Sequence, residues 1–259
     1  MPGEPRTETY RAFARVYDRV MGDRWFPTIH RSFVWAIRTY AIRFRSLADL
    51  GCGTGTFLSQ VARPDVVTYG IDRAPAMVKA AAAKTRGTGA RFFVQDMSDF
   101  TLPTKVDLIT CNFDTLNYVL SAADLQRVFT RCRVNLNSGG HLLFDMIVPP
   151  AAHRERRSVV QEFRFPGVVS RWITSWSTQA RASIVRMYYT FRGRRGEVRR
   201  AREVHVQRWY PLTLITALLR RTGFILRGVR DMVTLRPADR GTSWMKFVAR
   251  TAHAGGRQS

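Results

Sequence analysis

Three closely spaced glycines are the residues whose type and spacing point most directly to chemistry. Gly51, Gly53 and Gly55 follow a short apolar run at residues 47–50 and precede a segment at 56–62 that is expected to be helical. Glycine serves where a backbone turns with positive φ, or where a ligand lies against the main chain. A loop of this kind between a strand and a helix predicts a nucleotide-type site. A purely structural glycine turn is the alternative.

Two carboxylates beside this loop narrow the choice of ligand. Asp72 ends the next apolar run, about twenty residues on, where a carboxylate can accept hydrogen bonds from both hydroxyls of a ribose. Asp49 lies just before the loop, where it would repel a phosphate but could hold a cationic amino group. Dinucleotide folds use G-x-G-x-x-G with a helix N-terminus facing the pyrophosphate, whereas this loop is G-x-G-x-G. The pattern therefore disfavours a nicotinamide or flavin cofactor.

At this point the sequence resembles the class I S-adenosylmethionine methyltransferases, over residues 46–147 and the last two predicted strands. The run LADLGCGTGTF is close to the family's first motif, Gly-Ile-Asp at 70–72 to its second and Gln-Asp-Met at 95–97 to its third. Asn-Phe-Asp at 112–114 follows the fourth predicted strand, at the family's position between cofactor and acceptor. The resemblance implies S-adenosyl-L-methionine as the cofactor.

The resemblance also implies which residues contact that cofactor. The glycines would pass beneath its methionine part, Asp72 would hold the ribose, and Ala74 would help to flank the adenine. From the residues alone, Met77 could instead be a helix core residue, and Asp96 could be a solvated turn or helix-cap acid. The implied cofactor-binding residues are Tyr10, Asp49, Gly51, Gly53, Gly55, Asp72, Met77, Asp96, Met97 and Asn112.

A narrower resemblance is to small-molecule methyltransferases, including the amino-sugar and glycine N-methyltransferases. It rests on the opening YRAFARVYD, the run DLITCNFDTLNY and a β-rich insertion before Trp-Tyr-Pro at 209–211. In that group the N-terminal helix covers the cofactor, and its tyrosines approach the sulfonium and the acceptor. This implies such positions for Tyr10 and Tyr17, although either tyrosine could equally be a core aromatic.

Methyl transfer is an in-line displacement, so an enzyme mainly has to align the nucleophile, the methyl carbon and the sulfur. An amine acceptor must lose its proton, and a hydroxyl acceptor usually needs a base. His205 alternates with Val204 and Val206, so it lines the acceptor cleft or, as we prefer, faces solvent. Asp145 is a further candidate base that could be only structural. The candidate catalytic residues are Tyr17, Asp114 and His205, and no metal site is predicted, because no clustered metal-ligand motif is seen.

These residues need a scaffold, and strands that alternate with helices from residue 46 predict an α/β fold. We expect a Rossmann-like, doubly wound, mostly parallel sheet of seven strands with an antiparallel β insertion. The insertion would contain strands at 168–176, 182–191 and 198–210. The predicted segments are a cap of two helices (1–45), the cofactor-binding core (46–150), the acceptor-side insertion (151–210), a helix and two closing strands (211–250) and a frayed tail (251–259).

The charge is strongly positive, at +23, and residues 151–208 hold fourteen arginines against four glutamates. Such a field attracts anionic partners, although a compositional bias towards arginine is equally open. We therefore predict N- or O-methylation of a small-molecule acceptor that could be anionic. An RNA or DNA methyltransferase is the alternative. It is disfavoured because residues 112–115 lack the Pro-Pro-aromatic pattern of base-amino methylating enzymes.

The remaining features predict a cytoplasmic protein without membrane partners. No run approaches the roughly 18–20 apolar residues that a membrane span needs, and the opening MPGEPRTETY does not look like a secretory signal. Cys52, Cys111 and Cys132 fit no metal-binding spacing and are expected to pack as reduced side chains. The sequence leaves the oligomeric state open.

Overall fold

The computed structural model describes residues 10, 12–148, 158–193 and 195–252, and two β-sheets dominate them. The first strands are β1 (Ser46–Leu50), β2 (Val67–Asp72), β3 (Arg91–Val94), β4 (Val106–Cys111) and β5 (Leu136–Ile147). The insertion then contributes β6 (Val159–Phe165), β7 (Val168–Ser177), β8 (Ala182–Arg192) and β9 (Val198–Arg208). The chain closes with β10 (Phe224–Asp231) and β11 (Trp244–Thr251).

The larger sheet has seven strands in the order β3-β2-β1-β4-β5-β11-β10. Neighbouring strands from β3 to β5 are parallel, while β11 runs antiparallel to both β5 and β10. This confirms the predicted α/β fold with a mostly parallel sheet. The carboxyl ends of β1, β2 and β4 meet at one edge, so the loops that follow them are neighbours in space, as is usual for ligand sites in such sheets.

Helices cover both faces of this sheet. They are α1 (Tyr17–Thr39), α2 (Thr56–Val61), α3 (Pro75–Lys84), α4 (Ala122–Asn135) and α5 (Leu212–Arg221). The first three pack on one face, with Ile29 and Phe33 of α1 against Phe57 of α2. The other two pack on the opposite face. All five residues of β1 are buried, as expected for a central strand that is covered on both sides.

The prediction of two helices in the N-terminal cap is wrong. A single α-helix runs from Tyr17 to Thr39, preceded by a 3-10 turn at Phe13–Arg15. Pro27 lies inside the helix, yet the buried stripe of Phe26, Ile29, Phe33 and Ala36 continues past it at helical spacing. Burial of that stripe outweighs the local cost of the proline.

The antiparallel insertion is confirmed, but it contains one strand more than expected. The insertion sheet, which we define as β6–β9, is an antiparallel meander in which β6 was not predicted. Most of β6 is exposed, so its sequence lacks the apolar alternation that marks a half-buried strand. Residues 151–157 of the predicted insertion lie outside the described residues.

The inner face of the insertion sheet packs on the start of the chain. Phe13, Val16 and Val20 form a buried cluster with Val185 and Met187 of β8. Both closing strands exist as predicted, and β11 extends to Thr251, so the predicted tail begins too early. Residues 1–9 and 253–259, which belong to the predicted cap and tail, lie outside the described residues.

Candidate active site

The glycine loop, residues 51–55, joins β1 to α2, and all three of its glycines have positive φ (66°, 53° and 75°). A Cβ atom at Gly51 would collide with the side chain of Thr115, and one at Gly55 would lie 2.9 Å from Cα of Ala81 in α3. At Gly53 the nearest atom would be a carbon of the Tyr17 ring, 3.8 Å away. Gly51 and Gly55 therefore let the loop close on its neighbours, whereas a side chain at Gly53 would make only ordinary contact with the Tyr17 ring.

A cavity of about 310 Å³ lies beside this loop, at the carboxyl edge of the parallel strands. Its size is at the lower end of the range usual for small-molecule sites. The cavity brings together eight of the predicted site residues, which are Tyr10, Tyr17, Gly51, Gly53, Asp72, Met77, Asp96 and Met97. The predicted residues that do not line it are Asp49, Gly55, Asn112, Asp114 and His205.

Asp72 links the glycine loop to the end of β2. Its Oδ2 accepts a hydrogen bond from the Gly53 amide at 3.0 Å, and its Oδ1 accepts one from the Ala74 amide at 2.9 Å. Burial raises the pKa of this carboxyl, although both amides oppose that shift. A carboxylate has about four acceptor positions, so capacity remains for ligand hydroxyls on the cavity side. Ala74 itself is buried and does not line the cavity.

Several predicted residues line the cavity and also have structural contacts of their own. Met77 is buried in α3 and also lines the cavity. Asp96 accepts hydrogen bonds from the amide and hydroxyl of Ser98 (2.8 and 2.7 Å), so it is a turn acid that also lines the cavity with Met97. Arg73, which was not predicted, also lines the cavity.

Asp49, which precedes the glycine loop, and Asn112 belong to a buried network. The hydroxyl of Thr110 donates to Asp49 at 2.6 Å, and the Asn112 amide donates to the same oxygen at 3.3 Å. Lys246 of β11 is fully buried and donates to Oδ1 of Asn112 at 3.0 Å. Burial raises the pKa of Asp49 to about 7. Lys246, a lysine inside the apolar strand β11, is the signal in the sequence that could have revealed this network.

Aromatic side chains also line the cavity. We call Tyr10, Tyr17, Phe113 and Tyr118 the aromatic wall, because all four line the cavity. The ring centroids of Tyr10 and Tyr118 are 5.8 Å apart, and those of Tyr17 and Phe113 are 6.4 Å apart. Burial raises the pKa of Tyr10 and Tyr17, so both hydroxyls stay protonated. Sequence reasoning gave Tyr118 no role, although it ends the motif that follows the fourth strand.

Asp114 lies behind the aromatic wall. Phe113 and Asp114 both have positive φ (59° and 48°), a costly backbone conformation that often marks functional sites. Burial raises the pKa of Asp114 to about 8, and the nearby Asp145 adds to the shift. The side-chain amide of Gln207 donates to one Asp114 oxygen.

Asp145 fits the structural interpretation. Its Oδ2 accepts from the amide of Asp114 at 2.7 Å and from Nε1 of Trp244 at 2.7 Å. The side chain is fully buried and does not line the cavity. It therefore holds the backbone turn after β4 against β11.

The preference for a solvent-facing His205 is wrong. His205 is 1% exposed and lies on the inner face of the insertion sheet, while Val204 points outward. Its Nδ1 is 2.9 Å from the hydroxyl of Tyr118, and its Nε2 is 3.0 Å from Glu203. Alternation along β9 puts His205 on the opposite face from Val204 and Val206. It does not tell which of the two faces packs against Phe13–Val20.

The remaining structural expectations concern cysteines, metals and membranes. Cys52, Cys111 and Cys132 are all buried and free. Among the residues that the structure describes, no cluster of His, Cys, Asp and Glu side chains is arranged to hold a metal ion. No helix within the described ranges has the length and apolarity that a bilayer crossing requires.

Comparison with known proteins finds similarity to methyltransferases. Residues 47–140 match the family described as a methyltransferase domain. A candidate methyltransferase from Geobacillus sp. (strain WCH70) is 31% identical over 144 residues, which are 53% of this chain and 57% of that protein. The dTDP-3-amino-3,6-dideoxy-alpha-D-glucopyranose N,N-dimethyltransferase of Streptomyces fradiae is 28% identical over 95 residues, 37% of this chain and 36% of that protein. The chain thus spans only part of each relative.

Among solved structures, an S-adenosylmethionine-dependent methyltransferase from Clostridium acetobutylicum superposes with a TM-score of 0.80 at 22% identity. The superposition covers 94% of this chain and 99% of that one. The resemblance predicted from the sequence motifs is confirmed, as is the fold class. The predicted enzyme class is that of the matched family, and the predicted cofactor is the one named for the Clostridium acetobutylicum protein.

Proposed function

From the methyltransferase domain at residues 47–140, we propose that this protein transfers a methyl group from S-adenosylmethionine to an amine on a small molecule. The observation that carries the proposal is the cavity itself. It brings together the glycine loop, the Asp72 carboxylate and the aromatic wall.

The residues around the glycine loop fit the cofactor. Gly51 and Gly53 line the cavity without side chains, and the free acceptor positions of Asp72 suit the two hydroxyls of a ribose. Met77 and Met97 offer apolar contact to a flat base, and Asp96 lies beside them. Asp49 and Asn112 do not line the cavity and are hydrogen-bonded to each other.

The aromatic wall suits a cationic centre and its acceptor. Electron-rich ring faces attract positive charge. When bound, S-adenosylmethionine supplies a methyl group that its sulfonium has already activated. The residues of this chain therefore have to hold the acceptor in line and keep its nitrogen unprotonated.

The nature of the acceptor is inferred from the relatives. The Streptomyces fradiae enzyme acts, by its name, on the amino group of a dTDP-linked deoxysugar. An amino sugar of this kind combines a nucleophilic nitrogen with an anionic diphosphate, and the insertion of this chain is rich in arginine. We therefore propose a nucleotide-linked amino sugar as the acceptor class.

Incubation with radiolabelled S-adenosylmethionine and dTDP-3-amino-3,6-dideoxy-glucose tests this function. We expect label in the sugar and a mass gain of one or two methyl groups. The matched control is the same nucleotide sugar with a hydroxyl in place of the amine, which should remain unlabelled. Methylation of the hydroxyl sugar alone, or of neither sugar, would contradict the proposal. Label in added transfer or ribosomal RNA would support the nucleic-acid alternative.

A further inference from the structure

A continuous hydrogen-bonded chain runs from Tyr118 of the aromatic wall to the buried side chains of His205 and Glu203 behind it. We propose that Tyr118, His205 and Glu203 form a proton relay that removes the proton of the acceptor amine before methyl transfer. In this relay Tyr118 touches the acceptor, while His205 and Glu203 act through it. The proposal rests on the proposed function and specifies how the acceptor is activated.

Glu203 is the anchor of the relay. It is 2% exposed, and its two oxygens accept four hydrogen bonds. The backbone amides of Ala12 and Phe13 bind Oε1 at 2.6 and 3.1 Å, while the amide of Tyr10 and Nε2 of His205 bind Oε2, both at 3.0 Å. Burial raises the pKa of Glu203, but His205 and the amides outweigh burial, and the net pKa is lowered. Glu203 is therefore a carboxylate.

An ionised Glu203 fixes the tautomer of His205. A carboxylate only accepts, so Nε2 of His205 must carry a proton and donate it. In the neutral imidazole, Nδ1 is then the acceptor, and the Tyr118 hydroxyl at 2.9 Å donates to it. The ring of Tyr10 packs edge-on against the imidazole, with centroids 4.9 Å apart, and helps to hold its orientation.

Tyr118 carries the relay into the cavity. It lines the cavity, and its hydroxyl hydrogen points away from the cavity towards His205. The phenolic oxygen has two lone pairs, and one of them can accept from the Tyr10 hydroxyl. The other is available to an N–H of the acceptor. The sequence separates these groups by 87 residues, so the contact exists only because β9 lies over the turn after β4.

The proposed step conserves protons and electrons. The acceptor N–H bond breaks as its proton passes to the Tyr118 oxygen, and the phenolic O–H bond breaks as its proton passes to Nδ1 of His205. Tyr118 ends neutral, and the imidazolium is paired with the carboxylate of Glu203. The freed nitrogen lone pair then forms the bond to the methyl carbon, while the carbon–sulfur electron pair stays on sulfur. His205 holds the proton until the product leaves.

Asp114 is less suited to this step. It does not line the cavity, and the Gln207 amide already occupies one of its oxygens. Burial raises the pKa of Tyr118, and the nearby Asp114 raises it further, so the phenol stays protonated and able to relay a proton. Other titratable or charged groups also face the relay or Tyr118 from the surrounding elements. They are Tyr10 and Tyr17 from the chain start, Arg73 after β2, Asp114 after β4 and Tyr189 in β8.

The decisive variant is Tyr118→Phe, which keeps the ring and removes only the hydroxyl. With the dTDP-amino sugar as acceptor, we expect kcat near neutral pH to fall on the order of a hundredfold or more, the usual worth of a general base. The loss should shrink to a few-fold at high pH, where the amine is already neutral. Tyr69→Phe, a buried tyrosine that does not line the cavity, is the control and should keep wild-type activity.

His205→Asn separates proton transfer from positioning. The asparagine amide can still hydrogen-bond to Tyr118 but cannot take its proton, so this variant should show the same pH-dependent loss as Tyr118→Phe. The affinity of both variants for S-adenosylhomocysteine should stay at the wild-type value. A loss that is equal at every pH, or a His205→Asn variant with normal kcat, would overturn the relay.

A second readout does not depend on finding the acceptor. Nitrogen-15 NMR of the histidine side chains, with S-adenosylhomocysteine present at neutral pH, should find that Nε2 of His205 carries a proton and that Nδ1 does not. His205→Asn identifies its signal. A doubly protonated ring up to high pH, or a proton on Nδ1 alone, would overturn the relay even if methyl transfer is confirmed. A correct tautomer without any methyl transfer would instead count against the proposed function.

Discussion

At the scale of single residues, the buried carboxyl of Asp114 should make the fold sensitive to pH. Burial raises its folded pKa to about 8, above an unfolded value near 4, so ionisation opposes folding. The stabilisation is complete below about pH 4 and is lost as the pH rises through 8. The free energy of unfolding of Asp114→Asn, measured with urea, should therefore rise relative to that of wild type by about 1–3 kcal/mol between about pH 5 and pH 9.

Asp107 provides the control of opposite sign. It accepts hydrogen bonds from the Arg45 amide, the Ser46 hydroxyl and the Asn137 amide, which outweigh its partial burial and lower its pKa. Its stabilisation is present above the unfolded pKa and is lost as the pH falls through the folded pKa. Asp107→Asn should therefore be destabilising at neutral pH, with the difference vanishing in acid. A pH-independent effect of Asp114→Asn would contradict the account of that residue.

Which residues belong to the site was easier to predict from the sequence than how deeply each of them is buried. The motif resemblance found Asp72, Met77, Asp96 and Met97, and all four line the cavity. It also named Asp49, which is buried and does not line the cavity, because a motif records position along the chain and not burial. The Glu203–His205–Tyr118 contact was not predictable, since it depends on how the insertion sheet lies over the turn after β4.

At the scale of elements, the glycine loop should depend on the fit of Gly55 against α3. In Gly55→Ala the new methyl group would lie 2.9 Å from the Ala81 backbone, so α2 and α3 would have to move apart. We expect a loss of about 2–4 kcal/mol in the free energy of unfolding, from strain at positive φ together with overpacking. Thermal and urea unfolding measure this loss.

Gly87→Ala is the matched control for that substitution. Gly87 also has positive φ, but a Cβ atom there would meet nothing within 4 Å. It should cost only the backbone strain, about 1–2 kcal/mol. Equal losses in the two variants would mean that Gly55 contributes only its backbone freedom and that the contact with α3 is unimportant.

Element type was largely predictable, because the alternation of apolar runs with helical segments was clear from β1 to β5. The errors lie where tertiary packing decides. Strand β6 exposes most of its residues and forms because β7 offers it a hydrogen-bonding edge. Helix α1 continues through Pro27 because its apolar stripe is buried against α2 and the sheet.

At the scale of the whole molecule, the net charge of +23 should matter for the acceptor. If the arginines of the insertion attract an anionic acceptor, the KM for a dTDP-amino sugar should be much lower than that for the free amino sugar. It should also rise several-fold from low to high salt, because screening weakens such attraction. Steady-state kinetics on both acceptors test this. Equal, salt-independent KM values would identify the charge as compositional.

The central claim is that the glycine loop and Asp72 bind a sulfonium nucleoside. Isothermal titration calorimetry with S-adenosylmethionine, S-adenosylhomocysteine and NAD⁺ tests it most directly. Both sulfur nucleosides should bind with one-to-one stoichiometry, and NAD⁺ should give no binding heat. Asp72→Asn should weaken binding about tenfold or more, while Asp65→Asn, the same change at an exposed acid, should leave it unchanged. Binding of NAD⁺ with no response to either sulfur nucleoside would contradict the account.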